Sequence, residues 1–92
     1  MYSLEKTPLE VSKALAEKLR ALRKQLKMSQ EEMAERSGVS LGSLKRFENT
    51  GKISLYSLLK LIHLVGRLNE FDKVLLVNEN LEDVKKLFTD KL

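Results

Sequence analysis

Residues 29–49 read SQEEMAERSGVSLGSLKRFEN: two short helix-like runs separated by little more than Gly38 and Val39. A chain that stops a helix for so few residues must turn sharply and start again. Ser29 with Glu32 three residues on forms a capping box that opens the first run, and Ser40 caps the second. Gly38 is the residue best able to take the left-handed conformation that ends a helix. Two helices joined by so tight a turn pack at a steep angle, and the second protrudes. Across the twenty residues from Gln30 to Asn49 the pattern is demanding. The fifth must be small (Ala34), the ninth must turn (Gly38), and the tenth, fifteenth and eighteenth must be buried (Val39, Leu44, Phe47). All five positions comply.

The rest of the chain also reads as helix. Thr7-Pro8-Leu9-Glu10 is a helix start, followed by apolar residues at Val11, Leu15, Leu19, Leu22 and Leu26, which predicts one buried stripe on a first helix over about 8–27. Met33 and Ala34 are expected to face inward from the second helix. Leu44 and Phe47 form the buried edge of the third, which Gly51 closes. Ser54 caps a fourth helix that is apolar on most sides and ends at Gly66. Its few polar members, Ser57, Lys60 and His63, form one narrow strip. So apolar a helix is expected to be central or covered. Residues 68–77 predict a fifth helix, with VLLV readable as a short strand instead. Asn80 caps a last amphipathic helix with Leu81, Val84, Leu87, Phe88 and Leu92 inward. The expected fold class is all-α: four to five helices over 8–66 as one domain, with a helical extension over 67–92. No internal repeat or low-complexity segment interrupts it.

Ninety-two residues, 42% of them hydrophobic, suit one small domain with a modest core. The chain has no cysteine, which excludes disulfides and thiolate chemistry and fits a reducing cytoplasm. Its start lacks the apolar stretch of a signal peptide, and LYSLLKLIHLVG is too short to span a bilayer, so no membrane association is expected. His63 stands alone, without a Cys or a second His nearby, and is read as solvated rather than metal-binding. Glu31/Glu32 and Glu82/Asp83 are helix-start charges suited to the macrodipole. No nucleophile–base constellation exists. The sequence therefore predicts no enzyme, no metal and no cofactor.

Charge is unevenly spread. Residues 18–52 hold nine Lys and Arg against four Glu, whereas residues 67–92 are net acidic. A basic patch centred on the glycine turn points to a polyanion, nucleic acid first.

Over about residues 19–65 the chain resembles the Cro/cI-type (XRE-type) helix-turn-helix DNA-binding proteins. The specific pieces are LRKQLKMSQEEMAE, SGVS, and FEN followed by Gly51. The resemblance implies that the third helix enters the major groove of double-stranded DNA. It implies that Gln30 bonds a phosphate, and that Ser40, Leu41 and Gly42 first meet the groove. Ser43 and Lys45 would touch the backbone, Arg46 a base edge, and Asn49, Thr50 and Lys52 phosphate. It also implies a largely buried ion pair between Arg23 and Glu48. Phage repressors often carry glutamine where Leu41 and Gly42 stand. Leu41 can offer only apolar contact and Gly42 only close backbone approach, so base reading falls mainly on Arg46, with Lys45 as a second candidate. Specificity per half-site would then be modest, or would rely on DNA shape.

The expected function is a sequence-specific regulator that binds a palindromic operator as a homodimer, with residues 67–92 packed on the outer face of the fourth helix to supply the interface. Rival roles for that segment are completing the monomer's core or holding a partner. FENTGKISLYSLLKL with LVGRLNEFDKVL looks like the antitoxins paired with HipA-type kinase-like toxins. Phage-type repressors and restriction–modification controllers are further regulator readings. A module from another class, which binds protein and no longer reads DNA, also fits Leu41-Gly42.

Overall fold

The computed structural model describes residues 6–77. Four α-helices run in order: α1 (Pro8–Gln25), α2 (Gln30–Ser37), α3 (Leu41–Thr50) and α4 (Leu55–Leu64), followed by a 3-10 helix over Leu68–Lys73. Among the described residues every element is helical.

Each α-helix opens on a hydroxyl side chain that accepts a backbone N–H three residues on: Thr7 from Glu10, Ser29 from Glu32, Ser40 from Ser43 and Ser54 from Ser57. Two of the helices end on left-handed glycines, Gly38 and Gly51, both with φ +79°. The linker between α2 and α3 is accordingly minimal. Gly38 returns its N–H to Ala34, Val39 is buried with its N–H on the Ser37 hydroxyl, and Ser40 starts α3.

The core gathers Ala16 and Leu19 of α1, Met33 and Ala34 of α2, Val39, Leu44 and Phe47 around and within α3, and Leu58 and Leu61 of α4. α3 packs on both α1 and α2, and α4 packs on α2 and the 3-10 helix. At Gly51 the chain passes so close to α1 that an added Cβ would lie 2.9 Å from the backbone nitrogen of Lys13.

Three expectations need correction. First, α1 stops at Gln25 rather than near residue 27. Lys27 adopts φ +59°, donating its N–H to Lys24 while Met28 donates to Arg23, the paired bonds of a Schellman ending with lysine where glycine is usual. Second, the buried face of α1 is centred on Ala16, Leu19 and Arg23. Leu15 and Leu22 are half-buried toward α4, and Val11 and Leu26 are exposed. Helices approach closely where side chains are small, so Ala16 displaces the larger residues from the contact. Third, residues 68–77 are neither an α-helix nor a strand. The 3-10 turns hold no buried residue, and Val74 to Val77 extend beyond them as exposed, irregular chain.

α4 is also less covered than its composition suggests. Leu55 and Tyr56 are exposed, the Tyr56 ring lying 4.7 Å below the Lys60 ammonium. The amphipathic segment expected after Asn80 lies outside the described residues.

Candidate nucleic-acid interface

The site is built on α3. Leu44 and Phe47 fix its inner edge in the core, and that register turns Gly42, Lys45, Arg46 and Asn49 to solvent on one face. Ser40 at the helix start and Lys52 beyond its end are exposed as well, while Leu41, Ser43 and Thr50 are half-exposed. Leu41 packs partly against the core.

The two serines and Thr50 have internal duties. Ser40 donates its hydroxyl hydrogen to the Ser43 oxygen at 2.8 Å, which leaves the Ser43 hydroxyl hydrogen available to an outside acceptor. Thr50 donates to the Arg46 carbonyl at 2.7 Å and accepts the Lys52 N–H at 3.1 Å. Its hydroxyl therefore shapes the end of α3 and has no hydrogen left to donate.

Behind α3 lies a polar knot. Arg23 donates from Nε to one oxygen of Glu48 at 2.8 Å and from Nη2 to the other at 3.0 Å; its Nη1 donates to the Met28 carbonyl at 2.9 Å. Gln30 adds its amide nitrogen to the same carboxylate at 3.0 Å. The Glu48 side chain is 2% exposed. Burial pushes its carboxyl pKa up, but the hydrogen bonds from Arg23 and Gln30 and the charges of Arg23 and Arg20 outweigh that and hold it below the ordinary value. Among the described residues no buried side-chain nitrogen or oxygen lacks a partner. The knot ties α1, the turn after it, the start of α2 and the end of α3 into one frame. It also commits one amide hydrogen of Gln30, at the first position of α2, to that frame.

Comparison with protein-family models finds a match to the helix-turn-helix model over residues 19–67, more than half the chain. This protein belongs to the helix-turn-helix family. As an XRE-type helix-turn-helix protein it is a DNA-binding regulator. No curated protein and no solved structure matches the chain. The helix-turn-helix match begins within α1 and ends just past α4, so the 3-10 helix lies outside it.

Within this helix-turn-helix unit, sequence reasoning did not reach the Gln30–Glu48 bond, the Met28 carbonyl on Arg23, or the position of Arg20 beside Glu48. The Met28 contact is made by backbone and leaves no trace in residue identity. Of the described helices, none is long and apolar enough to cross a membrane.

Proposed function

We propose that the protein is a transcriptional repressor that binds a palindromic operator as a homodimer, with α3 in the major groove. The observation that carries this reading is the exposed face of α3, which Gly42, Lys45, Arg46 and Asn49 share while the opposite face is locked to the core. In this reading Arg46 reads a base edge, and Leu41 and Gly42 let the helix start approach a thymine methyl. Ser43, Lys45, Asn49 and Lys52 position the backbone, together with the second amide hydrogen of Gln30. The protein acts by binding alone, without catalysis or cofactor. One such unit reads few base pairs, which is why a second copy is invoked.

Selection from a random duplex pool tests the proposal. It requires enrichment of an inverted repeat whose half-sites lie about one helical turn, ~34 Å, apart. Binding should also weaken steeply with salt. A pool that fails to enrich, with binding indifferent to salt, would leave a protein-binding module as the better account.

A narrower reading makes the protein an antitoxin that also holds a HipA-type kinase-like toxin. The exposed apolar run Val74 to Val77, beyond the DNA-reading unit, supports a protein contact there. A kinase-like gene beside this one, whose product co-elutes with the protein, would select this reading.

A further inference from the structure

We infer that Arg20 of α1 is a DNA-backbone clamp that works with Gln30 on a single phosphate. The inference rests on the DNA-binding reading above and adds a contact outside the two helices of the motif.

Arg20 Nε lies 3.9 Å from Glu48 Oε1, the same oxygen that Gln30 Nε2 reaches at 3.0 Å. The two nitrogens are therefore neighbours across one oxygen atom. The hydrogen bonds of Glu48 are complete without Arg20. Its two oxygens already accept two bonds from Arg23 and one from Gln30, and 3.9 Å is beyond hydrogen-bond reach. The Arg23 side chain is 9% exposed and spent on the knot, whereas the Arg20 side chain is 53% exposed and makes no hydrogen bond among the described residues. Two guanidiniums thus face one carboxylate. The surplus charge is on Arg20, on the solvent side.

The chemistry suits a phosphodiester. Guanidinium offers several N–H donors in a planar fork that matches two phosphate oxygens. Gln30 at the start of α2 contributes an amide hydrogen and the favourable end of the helix dipole. The carboxylate beneath is almost wholly buried and neutralised by Arg23, so its repulsion of a phosphate is small.

Salt titration of binding to a random-sequence duplex tests the assignment. Arg20→Gln should lower the steepness of log K against log salt by about 0.9 per protomer, the value for one phosphate contact. It should weaken random and selected duplexes by the same factor. Arg20→Lys should restore most of the slope. Lys18→Gln removes an equal charge beside Leu58 and Phe71, away from Glu48, and should leave the slope near the parent's. An unchanged slope in Arg20→Gln, or a loss confined to one base position, overturns the assignment. A parent protein without salt-dependent binding would instead overturn the DNA reading itself. Arg20→Gln leaves the Arg23–Glu48 pair whole and should melt near the parent; a large drop in melting temperature with an unchanged slope would make Arg20 structural.

Discussion

Arg23 and Glu48, twenty-five residues apart in sequence, meet in a two-point grip that closes α1 onto the end of α3. Both nitrogens engaged on the carboxylate are charge-assisted donors, and the third nitrogen fixes the turn before α2. The pair holds α3 at its angle to α1. Its components are costly to separate, because either charge left alone would be buried.

Glu48→Ala strands the Arg23 guanidinium and should cost roughly 3–5 kcal/mol, measured by chemical denaturation. Replacing both residues with apolar ones should recover much of that loss. A single-variant cost below about 1 kcal/mol would mean that the pair behaves as an exposed one.

The depressed Glu48 carboxyl makes stability pH-dependent. The native state binds this proton less readily than the unfolded state. Its contribution is therefore complete above the unfolded carboxyl's pKa and is lost as pH falls through the lower, native value. Denaturation midpoints should decline over that acidic range in the parent. Glu48→Gln should be less stable at neutral pH and show a shallower decline. Parallel curves for the two proteins would rule out this carboxyl as the source.

Gly38 and Gly51 share one backbone conformation but not one environment. A Cβ at Gly38 meets nothing within 4 Å, whereas at Gly51 it meets the α1 backbone at 2.9 Å. Gly38→Ala should cost about 1–2 kcal/mol, the left-handed penalty alone. Gly51→Ala should cost clearly more, since backbone cannot step aside as a flexible side chain can. Equal melting temperatures for the two variants would contradict the close approach.

Lys27 takes the left-handed position that ends α1 without glycine's freedom. Lys27→Gly should raise stability by roughly 0.5–1 kcal/mol, the relieved strain exceeding the added freedom of the unfolded chain. A loss of stability would show that the lysine stem is held by packing.

Arg46→Ala should relax preference at one operator position by about 1–3 kcal/mol. Lys52→Ala should weaken all duplexes alike and reduce the salt slope. Comparing binding to single-base operator variants separates the two effects, and an exchange of roles would reverse the assignment of reading and positioning.

The helix starts were legible because a hydroxyl followed by its N–H partner three residues on is a local motif. So was Gly38, where a turn of two residues leaves few alternatives. The buried set Ala34, Val39, Leu44 and Phe47 followed from the fixed spacing of the two helices. The face of α1 was not legible in the same way. Apolar periodicity favours large residues, so it selected Val11 and Leu26. Close packing was decided by small Ala16, which apolar periodicity passes over, while the burial of Arg23 was legible only through the family resemblance that pairs it with Glu48. The hydrogen bond of Thr50 was not legible for a related reason: a hydroxyl at the end of a helix looks free in sequence, and only the fold brings it to the Arg46 carbonyl that accepts its hydrogen. The run Val74 to Val77 has helical and strand character alike, and local pattern does not choose between them for a run that packs on none of the described helices.

Gln30 has one amide hydrogen committed to Glu48. A free glutamine samples many rotamers, and an acceptor that binds it must freeze them. Here folding has already done so. The remaining hydrogen is presented in one direction before any ligand arrives, and an acceptor that meets it there loses little to side-chain ordering, which otherwise costs about 0.5–1.5 kcal/mol per rotamer-rich side chain. A glutamine tethered to a buried carboxylate is a rigid donor on a flexible stem.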